Sequence, residues 1–123
     1  MEKVKCICMM RDLMKSITEL EEQLMCRFNL SLNEAMLLCS VGDEKITATS
    51  ISDRTGMKPS HVSKIINSLE KQNLLIRHLG EMDRRQMYIS LTSNGLDKLK
   101  LLRVYDFDIP KLLVPLTEAY GIE

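Results

Sequence analysis

The sequence predicts a mainly α chain carrying one small β-hairpin. Three observations point to it: apolar residues recur at three- and four-residue steps, capping signals open several of those segments, and two β-rich runs flank a polar loop. At 123 residues and 45% hydrophobic content, a single compact domain with a modest core is expected. With no Trp, two Phe, three Tyr and nine Met, that core is aliphatic and adaptable.

From Val4 to about Phe28, Cys6, Met9, Met10, Leu13, Ile17, Leu20 and Leu24 mark one apolar stripe, widened by Ile7, Met14 and Met25. A helix of about 24 residues, about 36 Å long, exceeds what one small core covers, so part of it is expected to meet a second subunit. Asn29 stops this helix, and Ser31-Leu32-Asn33-Glu34 reads as a capping box for the next. Leu32, Ala35, Met36 and Cys39 are expected to form the buried face of that second helix, and Gly42 closes it. Lys45-Ile46 reads as a minimal strand. Thr47 then caps a short helix to about Thr55, with Ala48 and Ile51 inward and Gly56 at the turn. Lys58-Pro59 opens a further helix to about Gln72, the third of a tri-helical unit, with Pro where a missing N–H costs nothing. Leu74 to Leu79 and Gln86 to Leu91 flank the loop Gly80 to Arg85 as a hairpin, and Thr92 caps a helix bearing Leu96, Leu99 and Leu102. Pro110 and Pro115 divide the Leu-rich tail into a short broken helix or an arm.

Seventeen basic and seventeen acidic residues cancel, which argues against a globally basic nucleic-acid binder. Distribution tells otherwise. Between Lys58 and Ser90, Lys58, Lys64, Lys71, Arg77, Arg84 and Arg85 stand against Glu70, Glu81 and Asp83, a local excess of three positive charges. Such a face can engage phosphates, whose attraction reaches over about 10 Å. Cys6, Cys8, Cys26 and Cys39 form neither a Cys-x-x-Cys pair nor a secreted disulfide framework, so a reducing cytoplasm is the expected compartment. Arg11 and Asp12 interrupt the N-terminal apolar run, which fits neither a signal peptide nor a membrane-spanning helix.

In the helix opened by Pro59, Val62, Ile65, Ile66 and Leu69 fall on one side, leaving Ser60, Lys64, Asn67 and Lys71 outward with His61, Ser63 and Ser68 flanking. These are hydrogen-bonding side chains of the kind that read base edges in a major groove, where the N-terminal end of such a helix does most of the reading. Ser60, His61, Ser63, Lys64 and Asn67 are therefore the candidate DNA contacts on the helix, and Arg77, Arg84 and Arg85 those on the hairpin. Any exposed helix is polar outside, so the helix alone would not suffice; its place between a helix-turn-helix entry and a hairpin carries the reading. Arg side chains at the hairpin tip suit a narrow minor groove.

Asp83-Arg84-Arg85, the strand that follows, Leu91-Thr92-Ser93-Asn94-Gly95 and Leu69-Glu70-Lys71-x-x-Leu74 together resemble the MarR family of winged helix-turn-helix transcription regulators. The resemblance covers about residues 31 to 100. It implies a winged helix-turn-helix region over 30–95, dimerisation helices over 1–29 and 96–123, a homodimer on double-stranded DNA, and repression as the usual outcome. It also implies that Asp83 orients the wing by pairing with a basic residue, Arg77 or Arg85 here. Two recognition helices about 34 Å apart would match successive major grooves. Asn73 stands where the family commonly has Gly, and Lys58 where a Ser or Thr cap is common.

A small-molecule effector, often phenolic, is implied by the same resemblance, but no residue declares one. Met9, Met10, Met14, Met25 and Cys39 are read as core before pocket. One branch of the family senses peroxide through an N-terminal Cys; Cys8, with Lys5 and Arg11 within a turn, is the candidate redox residue, with an incidental free thiol the simpler reading. An enzyme is not expected. Cys6 and Arg11 are spaced one residue short of a phosphatase loop, His61 and His78 lack metal-ligand spacing, and no cofactor motif is present. The open alternative is a winged-helix module that binds protein in place of DNA.

Overall fold

The computed structural model describes residues 3–80 and 86–122. Asp83, Arg84 and Arg85 lie outside the described residues. The chain divides into two units, Met1–Asn29 with Asp106–Glu123, and Leu30–Tyr105.

The first unit is built on α1 (Lys3–Phe28), closed by Asn29 in the left-handed conformation at φ 55°. Its amide donates to the Met25 carbonyl, satisfying one of the orphan acceptors at the helix end. Gln23 clasps the C-terminal segment with both ends of its amide, donating to the Asp108 carbonyl and accepting from the Asp108 amide, each at 2.8 Å. A single 3₁₀ turn (Lys111–Leu113) follows Pro110, and α6 (Val114–Ala119) carries Pro115 in its first turn, where no intrahelical donor is lost. Met9, Met10, Met14 and Met25 are exposed, with Met14 at 70%. The expectation that they form core is therefore corrected for the single chain. One long helix and a short tail have too little facing surface to cover the stripe.

The second unit contains α2 (Leu32–Val41), β1 (Ile46–Thr47), α3 (Ala48–Thr55), α4 (Pro59–Lys71), β2 (Leu75–Leu79), β3 (Met87–Leu91) and α5 (Ser93–Val104). The strands form an antiparallel sheet in the order β1-β3-β2, with Ile46 opposite Ile89, and Leu75 and Leu79 opposite Leu91 and Met87. Leu37, Leu38, Ile51, Val62, Leu69, Ile89 and Leu99 are buried almost completely and supply the core. Thr47 caps α3 by accepting from the Ser50 amide, and Gly56 ends it in the left-handed region at φ 75°.

On α2 the buried side is Glu34, Ala35, Leu37, Leu38 and Val41, whereas Cys39 is exposed and Leu32 and Met36 are half-buried. The face read from the sequence was rotated. Apolar residues surround nearly the whole of this helix, so periodicity could not select among its sides.

The Leu91-Thr92-x-x-Gly95 motif has a mechanical explanation. Leu91 is buried opposite Leu75. The Thr92 hydroxyl accepts from the Gly95 amide at 3.0 Å, capping α5, and donates to the Asn73 carbonyl at 2.7 Å; the Thr92 amide donates to the Leu74 carbonyl at 3.1 Å. Gly95 then lies against that same carbonyl so closely that a Cβ would sit 2.0 Å from its oxygen. The motif pins the start of α5 to the turn between α4 and β2.

Candidate DNA interface

Pro59 starts α4 with its φ already set for a helix, while Lys58 at the N-cap makes no side-chain capping bond. Val62, Ile66 and Leu69 are buried one and two turns apart, fixing which side faces the core. Ser60, His61, Ser63, Lys64, Asn67 and Lys71 are exposed, all on the outer side or its flanks. The helix thus presents a continuous hydrogen-bonding surface bearing two lysines, with Glu70 as its one exposed acid.

Two of these residues are not free. Asn67 accepts from Arg77 Nη2, and His61 Nε2 lies 3.4 Å from Asn33 Nδ2 on α2. Arg77, on β2, also sets its Nε 3.3 Å from Glu70 Oε1; among the described residues that nitrogen makes no hydrogen bond, so the attraction to Glu70 is Coulombic. Arg77 therefore ties the wing strand to α4 through two of its residues. Arg77, expected from the sequence as a DNA contact or a partner of Asp83, has Asn67 and Glu70 as its described partners.

Ser68, read as a flank of the outer side, is half-buried and donates to Glu34 Oε2 at 2.8 Å. Gln72 Nε2 donates to the same oxygen at 2.7 Å. Oε1 of Glu34 completes the capping box by accepting from the Ser31 amide at 2.9 Å, while Ser31 Oγ accepts from the Glu34 amide. Burial raises the pKa of this carboxyl, but the bonds from Ser31, Ser68 and Gln72 outweigh it and hold it below the ordinary glutamate range. The capping box was legible in the sequence; the reach of its second oxygen to α4 was not.

Asn73 adopts φ 61° after α4, with its amide donating to the Glu70 carbonyl and the Leu74 amide to the Leu69 carbonyl, a complete Schellman closure built on Asn. The hairpin of β2 and β3 is joined toward its tip by Gly80 N–H donating to the Gln86 carbonyl at 3.0 Å. Cys8 is half-buried and Cys26 exposed. Cys39 is exposed as a residue, but partial desolvation of its sulfur still pushes the thiol pKa up, offset in part by Arg103. Among the described residues no group of three or more His, Cys, Asp or Glu could hold a metal ion, and no helix is long and apolar enough to cross a membrane.

Three helices followed by a hairpin, with the third helix exposed along its polar side, define a winged helix-turn-helix. Residues 28–86 match the MarR family. That match takes in just under half of the chain, and it makes the winged-helix core similar to that family of transcriptional regulators. A 62-residue stretch is 32% identical to the HTH-type transcriptional regulator SarZ in two strains of Staphylococcus epidermidis, taking in 50% of this chain and 42% of each relative. The chain thus spans less than half the length of the curated relatives it matches. Among solved structures, the transcriptional regulator BldR of Sulfolobus solfataricus aligns at a TM-score of 0.65 and 22% identity over 98% of this chain and 99% of that one. BpsR of Bordetella bronchiseptica gives 0.70 at 18% identity over 98% and 77%. MepR of S. aureus, solved as a DNA complex, gives 0.63 at 18% identity over 77% and 79%. At these identities the likeness is one of fold.

Proposed function

We propose that this protein is a sequence-specific, double-stranded DNA-binding transcriptional regulator, a repressor acting as a cytoplasmic homodimer. The exposed outer side of α4 carries the reading: Ser60, Ser63 and Lys64 stand clear of the core at the end of the helix that enters a major groove in winged-helix readers. MepR, of the same fold, has been solved on DNA, which supports it. Dimerisation is supported by the apolar surface that α1 and the tail leave uncovered, including Val4, Ile7, Met14 and Tyr120. Arg84 and Arg85 are the minor-groove contacts in this reading, with Asp83 as the residue that orients them. A small-molecule effector accompanies the reading, BpsR being regulated by 6-hydroxynicotinic acid.

Selection from randomised duplex DNA at low salt is the test. A defined, near-palindromic sequence is expected to emerge, and enrichment of nothing would refute specific binding. Lys64→Ala should then weaken binding of the selected duplex, whereas Arg85→Ala should weaken all duplexes alike and lower the salt slope by about one. Met14→Glu should shift sedimentation from dimer to monomer. A reporter driven from the selected duplex should fall when the protein is expressed.

A further inference from the structure

We infer that Glu34, on α2, is a positioning residue for DNA reading: it sets the rotation of α4 about its own axis. The inference rests on the DNA-binding reading above and deepens it.

Packing of Val62, Ile66 and Leu69 selects which side of α4 faces the core but, being non-directional, sets its fine rotation only coarsely. Directional contacts must supply the rest. At the start of α4, Lys58 provides no side-chain cap, and the Asn33–His61 contact is long at 3.4 Å. The short contacts come from the other half of the helix. Glu34 Oε2 receives Ser68 Oγ at 2.8 Å and Gln72 Nε2 at 2.7 Å, and Gln72 Nε2 also approaches Ser68 Oγ at 3.3 Å. From the wing side, Arg77 holds Asn67 and Glu70. The Glu34 tie is charge-assisted and largely shielded from water, and its other oxygen is fixed by the Ser31 amide of the capping box, so the carboxylate cannot turn without uncapping α2.

The lever is short. Side-chain tips stand about 6 Å from a helix axis, so a rotation of about 15° moves them about 1.5 Å, enough to break a hydrogen bond to a base edge. One lost base contact corresponds to roughly a tenfold loss of discrimination. Phosphate contacts, which tolerate such a shift through long Lys and Arg side chains, should suffer less.

Gln72→Glu is the perturbation, because it sets two carboxylates against each other at this junction. The duplex selected by the wild-type protein and a scrambled duplex of equal length and composition are the probes. Expected is a roughly tenfold fall in the ratio of selected to scrambled affinity, with the double variant Glu34→Gln/Gln72→Glu restoring it, since the amide introduced on α2 then caps with its carbonyl and donates with its NH₂ group. A loss of folded protein alone lowers both affinities together and leaves the ratio unmoved. An unchanged ratio for Gln72→Glu, or a failure of the double variant to restore it, overturns the role of Glu34 while leaving DNA binding intact. A wild-type protein that selects nothing overturns both.

Discussion

Replacing Gly95 by Ala sets two physical effects against each other with opposite signs. Gly95 is in the first turn of α5, and by helix propensity alone Ala there should stabilise by about 1 kcal/mol. The added Cβ, however, would stand 2.0 Å from the Leu74 carbonyl oxygen, 3.0 Å from its carbon and 3.2 Å from Leu91 Cβ. A carbon rests against a carbonyl oxygen at about 3.3 Å, so α5 must retreat by roughly 1.3 Å, and the obstacle is backbone that no rotamer change can move. Overpacking of this kind costs about 1–3 kcal/mol. Retreat also stretches the Thr92 bonds to the Leu74 and Asn73 carbonyls, each worth about 1 kcal/mol. The net expectation is a loss of about 2–4 kcal/mol. Urea unfolding followed by circular dichroism reads it directly: with a slope of about 1–3 kcal/mol per M, the midpoint should fall by about 1 M or more. Asn94→Ala, one residue earlier and exposed, is the control and should raise the midpoint slightly. A Gly95→Ala protein as stable as the wild type would show that the Leu74 contact does not restrict α5.

Asn73→Gly should raise stability by up to about 1 kcal/mol, since the left-handed φ at the end of α4 suits Gly better than Asn, while Asn73→Ala should lower it; thermal unfolding of the three proteins gives the order, and Ala above Asn would refute the strain. Because the folded-state pKa of Glu34 lies below its unfolded value, the stability it contributes is fully present above about pH 4.3 and is lost as pH falls through the folded pKa. The stability gap between wild type and Glu34→Gln should therefore be wide at pH 7 and narrow as pH falls through the folded pKa; a gap independent of pH would count against the ionised network. Alkylation of Cys39 should reach half its maximal rate at a higher pH than for an ordinary thiol, and Arg103→Met should push that midpoint higher still; a midpoint unmoved by Arg103→Met would show that the guanidinium exerts no influence on the sulfur.

Much of this molecule was legible residue by residue because local chemistry decides it. Asn29, Ser31, Thr47, Gly56 and Thr92 set helix ends through hydrogen bonds within a few positions, and Pro59 does so through its fixed φ. The spacing of Val62, Ile65, Ile66 and Leu69 among polar residues left one choice of inner side, and with it the exposure of Ser60, Ser63 and Lys64. Two β-rich runs on either side of a polar loop likewise sufficed for the hairpin. Where a segment is apolar all round, as α2 is, no local rule selects a face, and only its neighbours could turn Cys39 out and Glu34 in. The same holds for partners distant in sequence. That Glu34 grips Ser68 and Gln72, that Arg77 reaches Asn67, and that Gly95 must clear Leu74 are meetings of residues 10 to 38 positions apart or across a turn, decided by how elements pack and invisible to any pattern along the chain.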